Sequence, residues 1–333
     1  MNKKVHPSVR WGILSTARIN RSLIPPLHQS KHSEIIAVAS RSSSHASSYA
    51  SEWGIPTAYG SYEALLSDPR IDVIYNPLPN AMHTEWSIKA MEAGKHVLCE
   101  KPLCMNIDEL DALAAASSRT GKVVVEAFMY RHHPQTLKVM EIVASGVLGR
   151  LSLIKGSFSF KLSDPKNPRM DLGLGGGSIW DVGCYPISYA RLVASREPEE
   201  VFGWQLSAST GIDLLFAGQI RFADHLFAQF DCSFDLPHRF SIEIIGSTGS
   251  LLIPNPYKPG KREKIILTRG DQSETIPIRG QELYIGEVID MENVVLHAQP
   301  PRISLADSRG NVATITALLE SARIGKPVIL NKS

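Results

Sequence analysis

Alternation between short apolar runs and helical patterns constrains this chain more than any single motif. Apolar runs at 9–14, 34–39, 72–75, 96–99 and 123–127 are separated by segments of helical periodicity such as 44–53. About six strands then fit into about 125 residues, which is the rhythm of a doubly wound parallel sheet. Asn106 with Glu109 three residues later predicts a capping box at the start of one of these helices, and Gly121 predicts its end. Beyond Pro134 the rhythm changes. A helix is predicted over 135–145, and strands dominate after it. Phe216, Gly218, Ile220 and Phe222 alternate with more polar neighbours, as do Leu226, Ala228, Phe230 and Cys232. Such two-residue periods predict antiparallel strands covered on one face. Helices at 281–297 and 305–323 close the chain. The expected fold class is α/β, in two domains. Residues 1–128 form the doubly wound parallel sheet. Residues 129–333 form an α/β domain on a large, mostly antiparallel open sheet.

Composition excludes several classes of function. With 43% hydrophobic and 20% charged residues the chain suits a soluble globular protein. A net charge of +2 leaves no concentrated basic face for nucleic acid. No apolar run is long enough for a membrane span. The stretch from Met1 to Ser8 lacks the apolar core of a signal peptide. Cys99, Cys104, Cys184 and Cys232 show no paired spacing, so neither a metal site nor a disulfide framework is expected. A reducing cytoplasm is the expected compartment.

The chemistry concentrates at the ends of the predicted strands. Val97-Leu98-Cys99 leads directly to Glu100-Lys101-Pro102. Pro102 biases Lys101 towards extended backbone angles. A lysine at a strand's carboxyl end points into the region where open α/β sheets bind ligands, and it can donate a proton or polarise an oxygen. Glu100 can hold or tune it. A plain surface turn with solvated charges fits the same tripeptide.

The first strand offers a partial dinucleotide fingerprint. Gly12 stands in the place of its first glycine, while Ser15 and Ala17 occupy the region of the second and third. Small residues still let a backbone approach closely, and Ser15 or Thr16 can add a hydroxyl to a phosphate. A helix start over Ser15, Thr16, Ala17, Arg18 and Ile19 offers free N–H groups. A strand–turn–helix with no ligand satisfies the same residues. After the second strand, Ser40 and Arg41 replace the acid that would hold the ribose hydroxyls of NAD. Guanidinium pairs with phosphate through two parallel bonds, so these residues predict a preference for NADP(H), with NAD(H) as the lesser partner. The loop carrying Pro77, Leu78 and Asn80 lies at another strand's carboxyl end. His83 follows in the first turn of a helix, either as a cofactor contact or as a structural histidine.

A second cluster runs from Leu172 through Gly175, Gly176 and Gly177 to Trp180, Asp181 and Tyr185. Consecutive glycines let the backbone pass close to another group, with the nicotinamide or the substrate as the expected neighbour. Asp181 and Tyr185 are four residues apart and are expected on one helical face. A phenol beside a carboxylate and a lysine can relay a proton. Tyrosine ordinarily titrates near 10, so a cation such as Lys101 must stabilise its anion. A glycine loop leading into a helix with a capping Asp and a packing Tyr is the structural alternative.

Taken together, Gly12 to Ala17, the Pro-Asn-x-x-His segment ending at His83, Glu100-Lys101-Pro102 and the glycine run leading to Asp181 and Tyr185 resemble the Gfo/Idh/MocA family. The resemblance covers nearly the whole chain. It implies a Rossmann domain, a second domain with a large open sheet, a nicotinamide cofactor and a carbohydrate-like substrate. It also implies that Lys101 is the catalytic lysine of the Glu-Lys-Pro motif. Where the family often has histidine, this chain has Tyr185. That is similar to the branch of glucose–fructose oxidoreductase, dihydrodiol dehydrogenase, xylose dehydrogenase and sugar 3-ketoreductases, in which the tyrosine is the acid/base. The missing second and third glycines depart from the family pattern. The expected activity is hydride transfer between NADP(H) and a carbon of a sugar, keto sugar or related polyol. Asp181 is expected to position a substrate hydroxyl or the lysine. Arg169, His132, His133 and Trp180 are candidate substrate contacts. A homodimer or homotetramer through the open sheet is implied. Two alternatives are an enzyme with tightly held NAD(H) acting in glycoside cleavage or epimerisation, and a non-catalytic NADPH-sensing regulator.

Overall fold

A computed structural model of the chain describes residues 8–330. The leader reading falls on 1–7, outside the described residues, apart from Ser8. The chain separates into two compact units. One runs to Met129 and includes Tyr284–Ser308; the other comprises Tyr130–Leu283 and the chain from Arg309 onward.

In the first unit, β1 (Val9–Leu14), β2 (Ser33–Ala39), β3 (Thr57–Tyr59), β4 (Val73–Asn76), β5 (His96–Glu100) and β6 (Val124–Ala127) form one sheet in the order β3-β2-β1-β4-β5-β6. Every neighbouring pair in it is parallel. Helices α1 (Asn20–Gln29), α2 (Ser43–Trp53), α3 (Tyr62–Leu66), α4 (His83–Glu92) and α5 (Ile107–Thr120) link the strands. The central strands are apolar throughout because both faces are covered: Trp11, Ile13 and Leu14 are fully buried, as are Val97, Leu98 and Cys99. The strand order reverses between β1 and β4, so the carboxyl ends there form the crevice where such sheets take ligands. The predicted cap is present on the Asn106 side, while Glu109 reaches back to the Met105 N–H and to Asn106 Nδ2. Asn106 Oδ1 accepts from the Glu109 N–H at 2.8 Å, and Gly121 ends α5 in the left-handed conformation.

One sequence expectation is corrected here, and one late segment joins the first unit. The helix after β1 opens at Asn20, and residues 15–19 form the turn before it, with Ser15 at a φ of 68°. The first division of the chain, at 129/130, falls one residue from the expected boundary, and the late segment Tyr284–Ser308 groups with the first unit, where α8 (Ile285–His297) packs on α1 and β1. Val288, Met291 and Val294 are buried, and Glu292 accepts hydrogen bonds from the Ser30 and Ser33 hydroxyls. An apolar stripe and a buried carboxylate matched to these serines return this late segment to the first unit.

In the second unit, β7 (Leu151–Ser159), β8 (Glu200–Ser207), β9 (Asp213–Arg221), β10 (Phe227–Ser233), β11 (Arg239–Gly246), β12 (Ser250–Ile253), β13 (Arg262–Arg269), β14 (Gln272–Arg279) and β15 (Val328–Ile329) form a second sheet. Its order is β14-β13-β12-β11-β7-β10-β9-β8-β15. The β7–β10 pair is parallel and the other pairs are antiparallel. Helix α6 (Pro134–Ala144) opens the unit. Helix α7 (Cys184–Ala194) contacts β7 and β10, and α9 (Leu305–Ile324) crosses the division after Ser308. The predicted alternation is realised. Val201, Ile220, Ala228 and Phe230 point inward, while Trp204, Leu206 and Phe227 are exposed on the other face. At Gly218 a Cβ would stand 2.2 Å from the Phe230 ring, so the glycine makes room for an aromatic neighbour. Among the described residues no helix is long and apolar enough to cross a membrane.

Candidate active site

Lys101 follows β5 directly, and its peptide bond to Pro102 is cis. Its neighbours in sequence are each held by a buried side chain of the first unit. The Tyr75 hydroxyl, from β4, donates to Glu100 Oε1 at 2.7 Å. Burial first, and then the Glu100 charge, push the Tyr75 phenol well above its ordinary range, so it remains a donor. His83 Nδ1 lies 2.7 Å from the Pro102 carbonyl oxygen. Glu126 accepts from the Leu103 N–H at 2.9 Å and from the Ser308 hydroxyl at 2.6 Å. The turn that carries the lysine is thus fixed on both sides, which is how a reactive group is held in one geometry.

His83 takes the structural alternative. Its ring is fully buried, and Nε2 lies 2.7 Å from the Leu78 carbonyl oxygen. Burial pushes its pKa down to about 4 against the pull of the two carbonyls. Near neutrality the ring carries one N–H and donates to one carbonyl at a time. His83 therefore ties the loop of Pro77, Leu78 and Asn80 to the turn after Lys101 and has no ring nitrogen left for a cofactor. Asn76 reinforces the same loop: its Nδ2 donates to the His83 carbonyl and to the Ser87 hydroxyl, each at 3.1 Å.

The turn after β1 tests whether the chain suits a dinucleotide. Ser15 Oγ is shielded from solvent with no protein partner, and so is Asn20 Oδ1, while Asn20 Nδ2 donates to the Ser15 carbonyl at 3.0 Å. Orphaned polar atoms cost roughly 1–3 kcal/mol each, so their clustering at this turn suits a polar ligand. Gly12 sits within β1, where a Cβ would meet Ile71 at 2.8 Å and Ile74 and Leu65 at 3.1 Å, so interior packing crowds it. Ser40 is buried at the end of β2, and Arg41 is exposed beside Tyr62, whose phenol burial raises and Arg41 lowers. A cleft of about 400 Å³ lies in the same βαβ unit, lined by Thr16, Arg18, Arg21, His45, Ser48, Tyr49 and Glu52. Its basic residues were not among the sequence candidates; their only signal was cationic side chains close to the two predicted helix starts.

In the second unit the glycine run approaches protein rather than an open cleft. At Gly176 a Cβ would lie 2.4 Å from the Arg169 carbonyl oxygen. At Gly177, where φ is 122°, it would lie 2.4 Å from Asp213 Oδ1. The expectation that these two glycines make room for nicotinamide or substrate is thereby corrected. Their freedom lets the loop fold back on itself and on β9. Asp213 is the residue that sequence reading missed; its one signal was a lone acid beside the apolar run Leu214-Leu215-Phe216.

Asp181 does not begin a regular helix. Ile179–Gly183 is a π-helical turn, and α7 follows it. Its i→i+5 pattern removes the simple stacking expected for residues 181 and 185; such turns recur at functional sites. The nearly buried Asp181 accepts from Arg169 Nε at 2.7 Å. Tyr185 is buried among aromatic rings, with Phe158, Tyr257 and Tyr130 centroids at 5.4, 5.5 and 5.9 Å. The Tyr130 hydroxyl donates to Ser188 Oγ at 2.9 Å. These rings fix the plane of the phenol.

The remaining candidates divide. Arg169 joins Asp181 in an ion pair and keeps a half-exposed side chain. Trp180 and His132 are buried. His133 is fully buried and caps α6, its Nδ1 accepting from the Gln135 N–H at 3.1 Å. This capping contact accounts for its place in the sequence.

Burial pushes the Asp213 pKa up to about 6, although the Ser178 hydroxyl and the Ile179 N–H favour its charge. An ordinary Asp titrates near 3.9, so the folded chain holds this proton more tightly than the unfolded chain does. The group is therefore least favourable to folding above about pH 6, and the penalty disappears as pH falls towards about 4. Asp213→Asn removes the titration. The melting temperature of the variant minus that of the parent is expected to be larger near pH 8 than near pH 5. A difference independent of pH would refute this.

Comparison with known proteins adds the relationships. Residues 9–128 match the family described as GFO_IDH_MocA, oxidoreductase family, NAD-binding Rossmann fold, and residues 136–252 match its C-terminal domain. The chain is 38% identical over 327 residues to D-xylose 1-dehydrogenase (NADP(+)) 2 of Haloferax volcanii, covering 96% of this chain and 99% of that protein. It is 32% identical over 253 residues to trans-1,2-dihydrobenzene-1,2-diol dehydrogenase of Danio rerio, covering 74% and 75%. Among solved structures, a 3-ketoreductase from Actinomadura kijaniata in complex with NADP and TDP-benzene superposes with a TM-score of 0.90. That match has 27% identity and covers 94% of this chain and 98% of the other.

Proposed function

Starting from a chain that belongs to the GFO_IDH_MocA oxidoreductase family, we propose that it catalyses reversible hydride transfer between NADP(H) and a carbon of a sugar, keto sugar or related polyol. One observation carries the proposal. Lys101 stands at the carboxyl end of a strand beside the strand-order reversal, in a turn tethered through Glu100, Pro102 and Leu103.

The nicotinamide supplies the hydride chemistry when bound. The chain's part is to bind, orient and move a proton. Ser15, Thr16, Ala17 and Ile19 in the turn after β1 hold the pyrophosphate, with the unpartnered Ser15 hydroxyl and Asn20 carbonyl supporting this assignment. Ser40 and Arg41 hold the 2′-phosphate, and Pro77, Leu78 and Asn80 border the nicotinamide half. In the direction of reduction, Tyr185 gives its phenolic proton to the carbonyl oxygen. Lys101 stabilises the charge on that oxygen and on the phenolate. Asp181, held by Arg169, orients a substrate hydroxyl. The exposed Trp204, Leu206 and Phe227 support a homo-oligomer built on the open sheet face.

The test is a panel of aldoses, keto sugars and diketones assayed with NADPH, NADP⁺, NADH and NAD⁺ by nicotinamide absorbance. Turnover of at least one sugar with a higher kcat/KM for the phosphorylated cofactor is expected. Equal efficiency with NADH would remove the role given to Arg41, and no turnover with any member would remove the proposal.

A further inference from the structure

We propose that Asp213 is a positioning residue for Tyr185, acting through the π-helical turn that precedes it; this rests on the reading of Tyr185 as the acid/base. Asp213 opens β9, whereas Tyr185 lies in the first turn of α7. The Asp213 carboxylate accepts from the Ser178 hydroxyl at 2.5 Å and from the Ile179 N–H at 2.8 Å. It therefore serves the start of the π turn as a cap supplied by another element. Ser178 itself provides none, its side chain making no capping bond.

The geometry leaves this clamp little slack. Gly177 presses against Asp213 Oδ1 so closely that no Cβ fits. The Gly177 N–H donates to the Arg169 carbonyl at 3.0 Å, and the Gly176 N–H to the Asp171 carbonyl at 2.9 Å. The Arg169 side chain reaches forward to Asp181. Residues 169–181 thus form a closed loop whose exit is pinned to β9 by one carboxylate. Ser178, Ile179, Asp213, Cys232 and Gly183 pack together there: the Ser178 hydroxyl also lies 3.4 Å from the Cys232 carbonyl oxygen, and a Gly183 Cβ would lie 2.8 Å from Cys232 Sγ. Tyr185 lies six positions after Ile179. Rotation of the turn at its start moves the phenol within its cage of rings, and a misplacement of about 1 Å can cost about 10²-fold in rate.

The experiment uses the full chain, NADPH and the best substrate of the panel. It compares Asp213→Ala, Asp213→Asn and Tyr185→Phe by steady-state kinetics and by the ring-carbon resonance of Tyr185 in ¹³C-tyrosine protein, assigned through Tyr185→Phe. Asp213→Ala is expected to lower kcat by about 10²-fold with the KM for NADPH unchanged, and to shift the Tyr185 resonance. Asp213→Asn is expected to restore most of both, because its amide oxygen still accepts from the Ile179 N–H. An alanine variant within about twofold of the parent kcat and with an unshifted resonance overturns the proposal, and so does an asparagine variant no better than alanine. If Asp213→Ala fails to fold, Ser178→Ala replaces it, with an intermediate loss of kcat expected and an unchanged kcat counting against the clamp. Normal turnover by Tyr185→Phe would overturn the acid/base reading instead, and the resonance alone would then decide the positioning claim.

Discussion

Tyr185→Phe is expected to lower turnover by a factor of about 10² to 10⁴, the range typical for loss of a proton-transfer group. The substitution keeps the ring, and the ring makes the described contacts with Phe158, Tyr257 and Tyr130. Phenylalanine fills the same cage, so the fold should be kept. What disappears is the oxygen. NADPH binding, followed by nucleotide fluorescence, is expected to survive, because the proposed cofactor loops belong to the first unit. The pH dependence of kcat gives a second check. An unperturbed phenol titrates near 10, and a catalytic one needs a cation to lower it. The alkaline limb of the parent profile should therefore fall below about 10 and be absent from the variant. Near-normal turnover would remove the acid/base role.

Lys101→Ala should be of similar consequence, again about 10² to 10⁴ in turnover, because in the proposed mechanism it removes the cation that stabilises both developing oxygen charges. The turn around residue 101 is tethered through the Glu100 carboxylate, the Pro102 carbonyl and the Leu103 N–H. Alanine at 101 should leave the turn in place, with NADPH affinity close to that of the parent. Lys101→Arg retains the charge but replaces a compact ammonium with a planar fork, so only partial recovery is expected. A Lys101→Ala variant that turns over normally would place the proton chemistry elsewhere; one that loses NADPH binding would make Lys101 a cofactor ligand first.

Much of the architecture was legible in the chain because it follows from local patterns. Continuous apolar runs such as β1 and β5 belong to strands buried on both faces, and the two-residue alternation in β9 and β10 belongs to a sheet covered on one. The Asn106–Glu109 box and Gly121 marked a helix at both ends for equally local reasons. The Lys101 turn was legible for the same cause: a strand that ends in Lys-Pro puts its lysine at the sheet edge whatever surrounds it. Other features were settled far away in sequence. Glu126 read as one residue of an apolar strand, yet its carboxylate holds the Leu103 N–H and the Ser308 hydroxyl. His83 could have faced a ligand or the interior, and two backbone carbonyls decided it.

The sequence by itself determined the two sheets, the ends of helices α2, α5, α6 and α9 and the residues able to carry charge or protons, since each depends on side-chain period, turn chemistry or residue type within a short window. Only the tertiary structure decided what each polar group meets. It brought α8 back to the first sheet, crowded Gly12 with the side chains of Ile71, Ile74 and Leu65, and set Asp213 under the glycine run. The physical reason is that a buried polar or crowded group is satisfied by whichever partner folding brings within about 3 Å, and that partner can lie anywhere along the chain.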